Sequence, residues 1–439
     1  MRASRVQEYL EIVPLPLLIG AAVLGLLAFL LVPRNYRLGV SIAFMVVWQT
    51  VGALPDLGSV QALAKATSAI PLALIGLSAF LHPGQRRQVS AMAFIFPVMA
   101  VIAVVYVLTT EDRTLALAIR FGWIVLTIAA LLTVRTIVDD AALRYVIRWL
   151  TIGLCIAVLF PASAVVLDPA GSFRGGLFRL FPWGANPEGI GTLFISTTVF
   201  TAYLAYRSSG LGKVVLLPFL GISLALGLMT ASRAVLFGSV FTSLPVLFAW
   251  TRRPIFLIIG VAVVLGPALY LIGLAEQIDF ARLGSLKSGR WELYGPYLEV
   301  IAERPFFGLI GTQGESFFLL KSVGAHPHNA YLNMLYLGGL SYAIPMMFGV
   351  GVAVFSAIYC LVHRRRFLND PLLITTLAVL LLFMYAHGFV NDVVFYPTFP
   401  WSFIHVTVAS LLMTAASDMR LLNQQQLTHA ANRSYPVVA

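Results

Sequence analysis

The stretch that decides the fold is residues 331–362, which reads YLNMLYLGGLSYAIPMMFGVGVAVFSAIYCLV. It consists almost entirely of apolar and small residues and exceeds the roughly 20 residues that a helix needs to cross a bilayer. Comparable runs recur along the whole chain, so the sequence predicts an all-α, polytopic membrane protein. The predicted spans are 12–32, 37–54, 67–82, 90–109, 114–134, 145–167, 188–206, 213–229, 234–250, 255–274, 338–362, 371–390 and 398–416.

Composition supports the same class. The chain has 439 residues, of which 59% are hydrophobic and only 11% are charged, whereas soluble proteins carry roughly 25% charged residues. A transmembrane β-barrel is excluded because its strands alternate apolar and polar residues, and these runs do not. Cys155 and Cys360 both fall inside apolar spans, so we expect buried thiols and no disulfide framework.

The net charge of +11 is spread over short loops, so we read it as membrane topology and expect no nucleic-acid partner. Short loops rich in Lys and Arg stay in the cytoplasm. The basic clusters are Arg86-Arg87, Arg135 with Arg144 and Arg148, Arg207 with Lys213, Arg252-Arg253, and residues 363–366. If these are cytoplasmic, the outer side of the membrane contains residues 110–113, 168–187, 230–233, 275–327 and 391–397.

The organisation that follows has four parts: membrane helices in 1–274, an outer loop subelement in 275–337, further membrane helices in 338–418 and a cytoplasmic tail in 419–439. The N-terminal end is ambiguous, because Arg2 and Arg5 compete with Arg34 and Arg37 for the cytoplasm. Either the N-terminus is outside or one of the first three segments does not cross fully. The expected count is therefore 12 to 13 spans.

The outer loop 275–327 contains a predicted amphipathic helix from Arg290 to Ala302. Trp291, Tyr294, Leu298 and Ile301 recur in it at helical spacing. We expect this helix to lie on the membrane surface or to cover the site. Pro305, followed by Gly308, ends it.

Four arginines fall on the predicted outer side: Arg174, Arg179, Arg233 and Arg290. A charge at membrane depth costs roughly 2.5–3.5 kcal/mol, so such residues usually face a cavity and carry function. Snorkelling to the interface is the competing explanation for Arg233, and interfacial anchoring for the other three. Because a guanidinium offers a planar fork of donors that matches phosphate, the set predicts a diphosphate site.

His328 lies on the same predicted side, in the segment Ala325-His326-Pro327-His328-Asn329. Histidine can take a proton near neutrality, which suits a general base. We therefore predict that His328 is catalytic: it accepts a proton from a hydroxyl that attacks a sugar carbon, while the arginines stabilise the departing diphosphate. No dense group of His, Asp and Glu on the outer side resembles a ligand set, so no metal and no cofactor is expected.

Supporting roles are assigned to Asn329, His326, Asn186 and Asp392. His326 precedes a proline, so it either assists His328 or is a turn residue. His387 and His405 lie in apolar spans and either contact an acceptor, together with Asn391 and Asp392, or pack in the core.

The spacing of His328-Asn329 with Gly339 and Tyr342 resembles a loop motif of the O-antigen ligase and O-antigen polymerase family. Three further segments resemble that family in the expected order. They are Arg174 and Arg179 with residues 184–187, residues 228–233, and residues 288–294 with 303–308. The resemblance covers roughly 170–345 and is closest to the ligase branch. One departure is the order Asn186-Pro187, where many members read Pro-Asn.

The resemblance implies a helical bundle of the GT-C type in the bacterial inner membrane, with its active site on the periplasmic side. It implies a glycosyltransferase whose donor is a polysaccharide on undecaprenyl diphosphate and whose acceptor, in the ligase branch, is lipid A-core. Polymerase and protein O-oligosaccharyltransferase activities remain open within the family. A transporter of an anionic lipid or sugar is the alternative from another class, although the halves show no internal repeat. A non-catalytic scaffold is a third reading.

Overall fold

The computed structural model describes residues 15–107, 113–173, 179–251, 290–309, 328–364, 370–391 and 400–434. Helices make up most of these residues, and no strand occurs among them beyond an isolated bridge between Phe173 and Leu180. The longer helices are α1 Leu15–Leu31, α2 Arg34–Gly52, α3 Ser59–Ala66, α4 Ala69–Phe80, α5 Ile95–Val107, α6 Arg113–Thr136, α7 Asp140–Leu167, α8 Pro187–Arg207, α9 Gly210–Met229, α10 Arg233–Thr251, α11 Arg290–Glu303, α12 Ala330–Val362, α13 Pro371–His387 and α14 Pro400–Ser434.

The predicted all-α membrane architecture is confirmed. Within the described residues, six helices are long and apolar enough to cross a membrane, or seven if α3 and α4, which meet at a 42° bend, form one broken span. Every predicted span except 255–274, which lies outside the described residues, overlaps a helix, with bounds that differ by several residues in places. The number of crossings, 12 to 13, stays a prediction. The predicted tail beyond residue 419 is helical as far as Ser434 and continues the last helix.

The bundle has two ends that matter for function. At one end, α7, α9 and α13 finish while α8, α10 and α12 begin; we call this the motif end. At the other, the basic end, Arg207 lies 3.2 Å from Asp370 at the start of α13, and the Arg87 amide donates to Arg135 O at 2.8 Å. The basic residues Arg87, Arg135 and Arg207 therefore lie at one end, opposite the segments that carry the candidate site.

Close helix contacts bring the motif end together. A Cβ on Gly191 of α8 would lie 2.1 Å from Val235 of α10, so only a glycine lets these two helices approach so closely there. The next turn of α10 packs on α13, where the rings of Phe237 and Phe383 are 6.3 Å apart. Helices α8, α10 and α13 are consequently neighbours just below the loops of the motif end.

The two cysteines behave as expected. Cys155 and Cys360 are buried free thiols on α7 and α12.

Candidate active site at the motif end of the bundle

The first loop of the motif end contains Arg179. Its side chain is buried, and Nε donates to the carbonyl of Thr230 at 3.0 Å. The neighbouring Leu180 amide donates to Met229 O at 2.9 Å. Arg179 was predicted to bind diphosphate; in the structure its Nε holds the turn that precedes Arg233.

The same loop continues into α8 through a constrained backbone. Trp183 adopts a left-handed conformation, with φ +47°, and its indole N–H donates to Phe160 O at 3.2 Å. Asn186 then caps α8 by accepting a hydrogen bond from the Glu188 amide at 2.9 Å. This predicted supporting residue therefore sets the start of a helix, which is the usual role of Asn at an N-cap.

The second loop is the tight turn between α9 and α10. Ala231 is buried and also left-handed, with φ +46°. The turn ends at Arg233, which is the first residue of α10 and is exposed. An exposed guanidinium at a helix N-terminus combines two favourable terms for an anion, namely the full charge and the positive end of the helix dipole.

The third loop contains His328, which is half-buried and left-handed as well, with φ +47°. The next residue, Asn329, caps α12: its side-chain oxygen accepts from the amides of Tyr331 and Leu332, both at 3.0 Å. The helix start is fixed to the end of α13, because the Ala330 amide donates to Gly388 O at 2.8 Å. The predicted partner of His328 therefore acts on the helix that His328 precedes.

These three residues deserve comparison because non-glycine residues with positive φ are uncommon. Within the described ranges, Trp183, Ala231 and His328 are the non-glycine residues with positive φ, and each lies in a different loop of the motif end. Each such conformation costs of order 1–3 kcal/mol, and such strain clusters at active sites and ligand clamps. The clustering marks the motif end as the candidate site.

Gly339, the glycine of the His-Asn motif, has a structural role that the sequence alone does not reveal. Gly339 interrupts α12 with φ +59° and ψ −164°, a combination that is essentially restricted to glycine. The amides of Leu340 and Ser341 donate instead to Pro305 O at 2.8 Å and Phe306 O at 3.0 Å. A break in a membrane helix is tolerated when other groups satisfy the freed backbone in this way.

The segment that fills this break follows α11. Gly308 is left-handed, with φ +56°, and a Cβ there would lie 2.6 Å from Tyr336 O. Two of the segments predicted from sequence, residues 303–308 and the His328 motif, thus form one interlocked unit. We call α11 with residues 304–309 the strap.

The helix of the strap is confirmed, since α11 runs Arg290–Glu303 against a predicted 290–302. The prediction that it lies on the membrane surface or covers the site stays a prediction. Tyr297 is the buried residue, and its ring lies 5.0 Å from that of Tyr336, whereas Leu298 is exposed. The first part of α12, which lies alongside, determines which face of α11 is buried. Helical spacing within α11 alone cannot specify that face.

The remaining predicted residues are placed as follows. Arg174, His326 and Asp392 lie outside the described residues, and of Arg290 the structure describes the backbone, as the first residue of α11. His387 and His405 are buried, with the His405 Nε2 atom 3.0 Å from the Tyr385 hydroxyl. This placement favours core packing over acceptor contact for both histidines.

The helices that follow Arg233 and His328 both contact α13. Arg233 begins the helix that packs on α13 through Phe237, and the helix after His328 is joined to Tyr385, whose carbonyl accepts from the Tyr331 hydroxyl at 2.7 Å. Sequence reasoning missed Trp183, Ala231 and Tyr297. The two glycines at 338–339 within an apolar run were the available signal for the break.

Comparison with known proteins does not add a family. No family model matches the chain, and a search of curated proteins finds no match either.

Proposed function

We propose that the protein is a glycosyltransferase, an O-antigen ligase that transfers polysaccharide from undecaprenyl diphosphate to a sugar hydroxyl of lipid A-core. The observation that carries this proposal is the placement of His328 and Arg233 in loops at the same end of a membrane bundle, next to strained backbone. A base and a cation at the edge of the bilayer are what transfer from a lipid diphosphate requires.

At the sugar carbon, the reaction forms one bond and breaks one. The acceptor hydroxyl oxygen attacks the sugar C1 of the donor, and the bond between C1 and the diphosphate oxygen breaks. His328 takes the hydroxyl proton, and undecaprenyl diphosphate departs as an anion. No other reactant and no redox step is needed.

Charge on the leaving group is the main electrostatic problem. An arginine about 4 Å from a phosphate charge is worth about 4 kcal/mol at an effective dielectric near 20. Arg233 is suited to this role because it is exposed at the start of α10. Arg179 contributes indirectly, since its bond to Thr230 O holds the turn that orients Arg233. Arg174 and Arg290 complete the proposed diphosphate clamp, which works without a divalent cation.

The position of the site suits a lipid-linked donor. Helices α8, α10 and α12, which begin at these loops, are apolar enough to span a membrane. A polyprenyl tail can therefore stay in the bilayer while its diphosphate reaches the loops. On this proposal the protein is a multi-pass inner-membrane protein and the motif end faces the periplasm.

The deciding experiment is the lipopolysaccharide gel profile of a strain that lacks this protein. If the protein is a ligase, the strain that lacks it is expected to show core without O-antigen ladders and to accumulate long lipid-linked polymer. A core that carries a single repeat unit would instead identify a polymerase. An unchanged profile would reject both activities and leave the transporter reading. Complementation by the wild-type gene, but not by one encoding His328→Asn, ties the phenotype to the site.

A further inference from the structure

We infer that the strap is also a membrane anchor, whose residues Leu298, Phe306 and Phe307 insert among the acyl chains at the surface of the leaflet on the motif end. This inference does not depend on the reaction that the site performs. It concerns the lipid bilayer as the partner of a defined surface.

The strap has two apolar faces, one buried against α12 and one exposed. The inner face is packed on the first part of α12, where Tyr297 is 1% exposed and Leu309 is 7% exposed. The outer face carries Phe306, Phe307 and Leu298, which are 65%, 60% and 54% exposed. Exposed aromatic residues next to one another on one segment are unusual for a surface that faces water.

Depth in the membrane identifies what meets the outer face. Val362, at the far end of α12, is followed by His363 and Arg364, which mark the opposite boundary of the membrane. From there back to the break, residues 340–362 extend about 34 Å at 1.5 Å per residue, close to the roughly 30 Å hydrocarbon core. Gly339 is therefore at the outer boundary of the core.

The strap is fixed at this depth. A Cβ on Gly339 would meet the carbonyl carbon of Phe306 at 2.4 Å, so the backbone of Phe306 lies directly against the boundary residue. Lower on the same helix, Ile344 and Phe348 are also exposed, at 61% and 57%, as expected for a lipid-facing surface. The outer face of the strap continues this apolar surface to the interface.

Charge along the strap agrees with an interfacial position. Glu299 and Glu303 are exposed on the helix and are suited to the headgroup layer, while the phenylalanines follow after the helix ends. Amphipathic segments of this kind bury their apolar face about 5–10 Å into the headgroup and acyl boundary.

The test measures depth directly. In a Cys155→Ala, Cys360→Ala background, single cysteines are introduced as Phe306→Cys, Glu303→Cys and Phe348→Cys. Each is labelled with an environment-sensitive nitrobenzoxadiazole and reconstituted in phosphatidylcholine vesicles. Aqueous iodide and a lipid with a nitroxide near the top of its acyl chain are then used as quenchers. Glu303 is the control for the aqueous side and Phe348 the control for a lipid-facing site.

We expect the label at position 306 to behave like that at 348: the lipid nitroxide quenches it, and iodide quenches it at least threefold less than at 303. Iodide quenching equal to that at 303 would show that the outer face meets water and would overturn the inference. Protection from both quenchers would show that protein covers the face, either another segment or a second copy, and would overturn it equally. A labelled Leu298→Cys variant repeats the test on the helix itself.

Discussion

Replacing Gly339 by alanine should disrupt the junction between the strap and α12. The new Cβ would lie 2.4 Å from the carbonyl carbon of Phe306 and 2.5 Å from the Phe307 nitrogen. Both are backbone atoms, so no side-chain rotation can relieve the contact. The strap must move away, which breaks the hydrogen bonds from Leu340 and Ser341 to Pro305 and Phe306.

The size of the effect follows from two terms. An alanine at φ +59°, ψ −164° costs about 1–3 kcal/mol in strain. The alternative, in which α12 becomes continuous, gains about 1 kcal/mol because alanine favours a helix over glycine. Together they shift the equilibrium towards a straight α12 by about 2–4 kcal/mol, which is about 30- to 700-fold.

The assay is a distance measurement between spin labels on either side of the break. Leu298→Cys and Phe355→Cys place labels at exposed positions on the strap and on the second part of α12, in a background without Cys155 and Cys360. We expect a single narrow distance distribution in the parent and a shifted or broadened one with Gly339→Ala. Gly351→Ala is the matched control, because this glycine lies in the same helix and its Cβ would meet nothing within 4 Å.

Two results decide between these outcomes. Gly351→Ala should keep the parental distribution, and a thermal melt followed by circular dichroism should show that both labelled variants are folded. If Gly339→Ala kept the parental distance and stability, the break would not depend on glycine, and our account of the motif would be refuted.

The other predictions concern the proposed reaction and its supports. Replacing His328 by Asn, which tolerates left-handed backbone, should lower the transfer rate by about 10²–10⁴, and His328→Ala should lower it equally. Donor binding should be retained in both variants. Activity preserved in purified His328→Asn would place the base elsewhere. At Arg233, turnover should rank Arg above Lys and Lys above Gln and Ala, because an ammonium keeps the charge but not the bidentate fork; equal turnover for Gln and Arg would reject the clamp. Chelation by EDTA should leave the wild-type rate unchanged, and a loss restored by Mg²⁺ or Mn²⁺ would overturn the metal-free mechanism. Asn329→Ala should destabilise the start of α12 by about 0.5–2 kcal/mol, measured as faster amide exchange at residues 331–332, whereas Asn329→Asp should be near wild type.

Several features were predictable because their cause is local. A membrane helix depends on the length of an apolar run relative to the bilayer, so the helices could be located from the sequence. Helix α11 was predictable because Pro305 and Gly308 follow it and because apolar residues recur at helical spacing within it. The burial of Tyr297 was not predictable, because it depends on Tyr336 of α12, whose ring lies alongside it.

The candidate site shows the same division. His328 and Arg233 could be identified from the sequence as polar residues at the edges of apolar runs. A charge or an imidazole there costs free energy, which marks such residues as candidates for a functional role. The sequence did not reveal that Arg179 holds the turn before Arg233 or that three loops are strained. Those properties depend on which backbone carbonyls lie within reach, and that is a matter of packing between helices.

The sequence by itself determined that this is a helical membrane protein, where its helices run and which polar residues lie at their ends, because burial in lipid acts on each segment separately. The tertiary structure alone decided that α12 breaks at Gly339, since the carbonyls that replace its lost helical bonds come from Pro305 and Phe306 on another segment. It likewise decided that the helices beginning after the turns of Arg233 and His328 pack on the same helix, α13. A hydrogen bond between distant segments depends on how the helices pack, and the order of residues within either segment does not specify it.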